Sequence, residues 1–452
     1  MILMKRKIYN ELLKWKQDWN GTTALLIDGA RRVGKSWIAE EFGKNEYKSY
    51  ILVDFGNLNA ELTEVFNLYL NNLNEFFLRL SLSTGVKLYE RDSLIIFDEV
   101  QQFPKARAAI KYLVKDGRYD YLETGSLISI NKNVKDIIIP SEEVRIKMYP
   151  MDFEEFMWAL DQKELYDFAL DRFTSESPVG SFHRKLMDNV RLYLITGGMP
   201  QAINKYIETK DFIMVDSIKR NILNLYRNDI EKYSDKSYNK ILKIFDNIPS
   251  MLQKHERKFR PSEIKKGSKS REYGDSLYWL QESMTTNFCF AVSEPEINFS
   301  FVKLENRLKI YLGDTGLLLS MAFEKQEMQK LELYRKILLN KLEFNKGMII
   351  ENFIAQQLVA NGHPLYYYSC NSRENKEDRM EIDFLTIKKE LTNRHNINAI
   401  EVKSSSRYTF SSLLKFSKKF SSHINRKILF HTGDLKIEND ILFLPLYMAS
   451  MI

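Results

Sequence analysis

The sequence predicts an α/β chain of several domains whose first is a P-loop parallel sheet, and three observations carry that reading. Near-continuous apolar runs alternate with amphipathic stretches between Thr23 and Pro150. A phosphate-loop pattern follows the first of those runs. After Met151 the alternation gives way to helical stretches, and strand signals return near the C-terminus.

The apolar runs are Ala24 to Asp28, Tyr50 to Phe55, Leu94 to Val100, Tyr119 to Thr124 and Val144 to Tyr149. Strands of this kind belong to a sheet buried on both faces, with helices supplying the cover. A chain of 452 residues has room for two to four cores. The reading divides it at 1–160, 161–230, 231–335 and 336–452. Gly197-Gly198-Met199-Pro200 is a hard break inside the second segment. The last segment reads helix (Leu342 to Ala360), strand (Leu365 to Ser369), strand (Met380 to Ile387), strand (Asn398 to Lys403), helix (Phe410 to Phe420), strand (Lys427 to His431).

Composition excludes more than it selects. Lys and Arg number 67 against 60 acids, a net charge of +7, which suits nucleic acid and equally suits no particular partner. Cys289 and Cys370 stand far apart and the six histidines are scattered, against a disulfide scaffold or a zinc site. No apolar stretch has the length of a signal peptide or a membrane span, so a soluble, cytoplasmic protein with no membrane partner is expected.

Gly29-Ala30-Arg31-Arg32-Val33-Gly34-Lys35-Ser36 fits G-x-x-x-x-G-K-[ST], and a helical stretch from Trp37 follows it. In such a loop backbone N–H groups curl around phosphates at the positive end of a helix. The binding set for ATP therefore runs from Gly29 through Trp37. Lys35 is placed to reach the β- and γ-phosphates, and the Ser36 hydroxyl to hold Mg²⁺. Leu94-Ile95-Ile96-Phe97-Asp98-Glu99 is four apolar residues ending in two acids. Asp98 is expected to hold Mg²⁺ and Glu99 to polarise the attacking water. In Tyr121-Leu122-Glu123-Thr124-Gly125-Ser126, Thr124 or Ser126 suits a sensor of the γ-phosphate, a plain strand-to-loop turn being the other reading. Arg145 is a candidate finger for a neighbouring subunit, which leaves a homo-oligomer open.

Further runs recur with these in one order: Asp98-Glu99-Val100-Gln101, Thr124-Gly125-Ser126, Met148-Tyr149-Pro150-Met151-Asp152-Phe153-Glu154-Glu155-Phe156, Gly197-Gly198-Met199-Pro200 and Lys309-Ile310-Tyr311-Leu312-Gly313-Asp314-Thr315-Gly316-Leu317. The chain thereby resembles the AAA-type ATPases of bacteria and archaea that are fused to a C-terminal domain of unknown function. The resemblance implies an additional-strand P-loop core, a helical lid, a winged-helix middle, and a terminal domain similar to PD-(D/E)XK nucleases.

Two later stretches bear on nucleic acid. Lys254 to Arg271 holds eight Lys or Arg against two acids. Ser262 to Ser270 followed by Arg271 to Gln281 reads as helix, Gly turn, helix. A helix-turn-helix would turn Lys265, Lys266, Lys269, Arg271 and Tyr273 to DNA and pack Leu277, Trp279 and Leu280 inward. A basic turn used for protein docking is the alternative. In the terminal segment, strand alternation puts Glu401 and Lys403 on one face, and Asp383 stands on what should be the adjacent strand. With Glu351 on the preceding helix, these are the residues of a metal-dependent phosphodiesterase site: Glu351, Asp383 and Glu401 as metal ligands, and Asp383, Glu401 and Lys403 in catalysis. A nuclease-like domain that has lost cleavage and binds a partner is the rival reading.

Overall fold

The computed structural model describes residues 4–125, 141–233, 238–254, 256–324, 330–341, 346–372, 375–388, 390, 392, 394–405 and 408–452. Two compact units divide the chain. One comprises Lys5–Tyr149 with Glu282–Met284; the other comprises Pro150–Gln281 and Thr285–Ile452, with the extreme N-terminus.

In the N-terminal unit five parallel strands, β1 (Ala24–Asp28), β2 (Ser49–Asp54), β3 (Ser93–Asp98), β4 (Asp120–Gly125) and β5 (Glu143–Lys147), lie in the order β2-β3-β4-β1-β5. Every residue of β1, β3 and β4 is buried, as central parallel strands require. The outer strand β2 alternates buried and exposed positions over its second half. β4 stands between the strand that leads into the phosphate loop and the strand that ends in Asp98, so the sheet has the additional strand that the resemblance implies. Helices Ala60–Leu68, Leu73–Thr84 and Pro104–Asp116 cover one face. Their core centres on Phe66 and Phe97, 5.6 Å apart edge to face, with Phe55, Phe76 and Phe103 packed around them.

The other unit begins with helices, from Phe153–Ala159 to Tyr238–Gln253. Eight strands follow: β6 (Thr286–Val292), β7 (Lys303–Leu312), β8 (Leu365–Cys370), β9 (Met380–Ile387), β10 (Ile397–Val402), β11 (Ile424–His431), β12 (Lys436–Glu438) and β13 (Ile441–Pro445). They form one mixed sheet in the order β12-β13-β11-β10-β9-β8-β6-β7. β6 and β7 pair antiparallel as a hairpin, Phe288 opposite Ile310. β6 pairs in parallel with β8, Cys289 opposite Leu365, so this hairpin extends the C-terminal sheet, and the boundaries expected at 230/231 and 335/336 both fall inside the unit.

Helix Lys346–Ala360 is buried without a break from Met348 to Leu358. Its polar side chains therefore need partners inside the protein, and Asn352, Gln356 and Gln357 each take a backbone N–H. Asn352 Oδ1 accepts from Leu312 N at 2.9 Å, Gln356 Oε1 from Thr315 N at 2.8 Å, and Gln357 Oε1 from Phe153 N at 2.7 Å. Gln356 Nε2 donates to Tyr193 Oη at 2.8 Å and to Asp314 Oδ2 at 3.2 Å. Asp314 caps helix Thr315–Ala322 through Leu317 N, 2.8 Å, and takes Gly198 N at 2.5 Å. The runs Gly197-Gly198 and Gly313 to Gly316 thus interlock around one buried carboxylate.

That interlock leaves no room for a methyl group. In Gly316→Ala the Cβ would stand 2.5 Å from Gly197 N and 2.6 Å from its Cα, backbone atoms that cannot swing aside. We expect a loss of about 1–3 kcal/mol. Gly274→Ala, whose Cβ meets nothing within 4 Å, should be neutral or slightly stabilising. Urea unfolding midpoints of the two variants test this contrast.

Candidate functional site

The phosphate loop joins β1 to helix Lys35–Glu46. Gly34 takes φ 103° at the helix entry, a left-handed conformation that a side chain would strain. Lys35 is buried, its ammonium donating to the carbonyls of Gly29 (2.8 Å) and Ala30 (3.1 Å). Burial pushes its pKa down, opposed by the charges of Glu99, Asp28 and Asp98. The charge is thus held at the loop in low-dielectric surroundings, where it acts strongly on an anion.

Strand register brings the remaining groups together. Asp54 pairs with Asp98, Ile27 with Thr124, and Asp28 with Gly125, so the carboxyl ends of four strands meet in one place. Ser36 Oγ donates to Asp98 Oδ1 at 2.7 Å. Thr124 Oγ1 donates to the same oxygen and accepts from Glu99 N at 3.2 Å. Burial raises the Asp98 pKa, and the two hydroxyls pull it back. Glu99 has a left-handed backbone, φ 54°, and its side chain receives the Gln101 amide. Ser36, Lys35, Asp98, Glu99 and Thr124 are therefore neighbours at this end of the sheet. Ser126 lies outside the described residues. Arg145 donates to Glu143 Oε1 at 2.6 Å within its own strand.

In the other unit the basic stretch forms a one-turn helix, Pro261–Ile264, then a turn at Gly267, a 3-10 turn at Ser270–Tyr273 and helix Gly274–Glu282. Lys265, Lys266, Lys269 and Arg271 are exposed. Trp279 and Leu280 are buried and Leu277 is half-buried. Tyr273 departs from expectation. It is buried, edge-on to Phe259 at 5.9 Å, because packing its ring against the core outweighs leaving it in water.

The terminal carboxylates converge only in part. Lys403 Nζ donates to Glu401 Oε1 at 2.7 Å, and Asp383 Oδ2 accepts from Val402 N at 2.8 Å, so Asp383 and the Glu401–Lys403 strand are neighbours. Burial pushes Glu401 up to about 7 against the pull of Lys403. Glu351 is the correction. One oxygen is paired with Arg257; the other takes the Tyr311 hydroxyl at 2.6 Å and the Lys309 ammonium at 3.4 Å. Among the described residues no three His, Cys, Asp or Glu side chains are grouped to hold a metal ion. The expected ligand set Glu351, Asp383 and Glu401 is not assembled, since Arg257, Tyr311 and Lys309 occupy both oxygens of Glu351.

Residues 21–157 match the family model described as an AAA domain. This segment is similar to AAA domains. Residues 187–328 and 346–448 match two other models, each described as a domain of unknown function. No curated protein matches the chain. Solved structures similar to it include the ORC2 protein of Aeropyrum pernix in its ADP form, at 13% identity over 74% of this chain and 92% of that one, TM-score 0.27. The ORC1 protein of Aeropyrum pernix in complex with DNA has 11% identity over 72% and 94%, TM-score 0.26. Cdc6p from Pyrobaculum aerophilum has 12% over 76% and 97%, TM-score 0.24. Likeness this slight carries neither fold nor function across. Among the described residues no helix is long and apolar enough to cross a membrane.

The N-terminal unit holds three groups that motif reasoning missed. Arg6 is buried, donating to Val33 O and Tyr149 O, each at 2.7 Å, and so fastens the phosphate loop to the exit of β5. Gln101 orients Glu99. Asp54 brings a further carboxylate beside Asp98. Asp54 had a signal, a polar residue at a strand end, and Gln101 closes the run that begins at Asp98; Arg6 had none.

Proposed function

We propose that the chain binds ATP and hydrolyses it with Mg²⁺ in its N-terminal unit. The reading rests on one observation above others: the Ser36 and Thr124 hydroxyls both donate to one oxygen of a buried Asp98, whose charge acts on the buried Lys35 ammonium. An all-oxygen donor set on a carboxylate short of counter-charge suits Mg²⁺, which needs only one or two protein ligands beside nucleotide phosphates. Ser36 and Asp98 would hold the ion, which neutralises charge on the β- and γ-phosphates when bound. Lys35 and the loop N–H groups from Gly29 onward orient the phosphates. Glu99, held by Gln101, accepts a proton from the attacking water, and Thr124 ties Glu99 to Asp98. Lys35→Ala is expected to abolish binding of a fluorescent ATP analogue. Glu99→Gln should retain binding and lose at least about 100-fold in turnover. Unchanged binding by Lys35→Ala would end the assignment.

A second reading concerns the other unit. Lys265, Lys266, Lys269 and Arg271 are exposed and make no ion pair among the described residues, which favours contact with a polyanion such as duplex DNA. Changing the three lysines to Glu should weaken duplex binding and flatten its dependence on salt concentration, measured by fluorescence anisotropy at two ionic strengths. Equal affinities and slopes would leave protein docking as the role of this segment.

A further inference from the structure

We infer that the carboxylate cluster of the C-terminal sheet is not a metal site, because Lys309 supplies its cation. Lys309 Nζ lies 2.9 Å from Glu381 Oε1, 3.4 Å from Glu351 Oε1 and 3.8 Å from Asp383 Oδ1. Its side chain is 1% exposed. Glu381 and Asp383 share a face of β9, and Lys309 and Tyr311 share a face of β7, with β8 and β6 between these strands in the sheet. The lysine thus reaches across the sheet to the point where carboxylates from β9 and from helix Lys346–Ala360 meet.

Glu351 and Asp383 are already committed. Glu351 takes Arg257 on one oxygen and Tyr311 with Lys309 on the other. Asp383 takes Val402 N on one oxygen and faces Lys309 with the other. Glu401 is paired with Lys403 through Oε1 alone, its buried Oε2 having no hydrogen-bond partner among the described residues. A divalent ion would need oxygens at about 2.1 Å in octahedral array, at a place where an ammonium centre already stands and would repel it. Glu351 is therefore closed to a metal shared with Asp383 and Glu401. The cluster instead joins β7, β9 and the buried helix through ion pairs whose loss would leave buried charges unmatched.

The test is Mn²⁺ binding to the full, nucleotide-free chain, followed by the electron paramagnetic resonance signal of free Mn²⁺. It is independent of the ATP site, because Asp383→Asn is made in every background and only the difference is read. Wild type and Asp383→Asn should bind the same amount of Mn²⁺. Lys309→Ala, which uncovers three carboxylates, should gain one bound Mn²⁺ per chain, lost again when Asp383→Asn is added. Its thermal midpoint should fall by about 5 °C or more and recover on adding Mn²⁺. A wild-type site removed by Asp383→Asn would overturn the inference, as would a folded Lys309→Ala that gains nothing. Should Lys309→Ala not fold, the wild-type comparison alone decides.

Discussion

A sheet covered on both faces admits charge only where its strands end. In the N-terminal unit β1, β3 and β4 are buried along their whole length, so a polar group on them is cheap only at their termini. In-register parallel pairing then sets those termini side by side, Asp28 by Gly125 and Asp54 by Asp98. The helix entry at Gly34 adds unpaired N–H groups at the same end. Lys35, Asp98, Glu99 and Thr124 are together because the core permits them nowhere else.

The same constraint acts differently on the mixed sheet of the other unit. There a helix, Lys346–Ala360, is buried nearly all round while carrying Glu351, Asn352, Gln356 and Gln357. Each polar side chain is matched to a loop backbone or a cation, so the helix fixes the start of Phe153–Ala159, the Asp314 cap and the Lys309 cluster at once. The middle segment contributes β6 and β7 to this sheet and Arg257 to its carboxylates, and is thereby bound into the terminal domain.

Local pattern made much of this legible. β1 and β9 have the bounds that the apolar runs suggested, and the phosphate loop with its acid pair was readable because each lies within eight residues whose chemistry is set by neighbours in sequence. Long-range pairing was not readable. Arg6 gives no local sign that it will clamp Val33 and Tyr149. Lys309 looked like one residue of a strand motif, and only the pairing of β6 with β8 brings it to Glu381. Glu351 sat correctly on its helix, yet its neutralisation depends on Arg257, from a stretch whose charges suggested an outward role. Tyr273 was assigned to the surface by its basic neighbours, whereas Phe259 draws it inward.

The proposed turnover of ATP with Mg²⁺ is read from phosphate release by the full wild-type chain, followed with excess ATP in Mg²⁺ and in parallel with a chelator. Multiple turnovers are expected with Mg²⁺ and none without it. Equal release in both, or ATP recovered intact from the chain in Mg²⁺, would overturn the proposal.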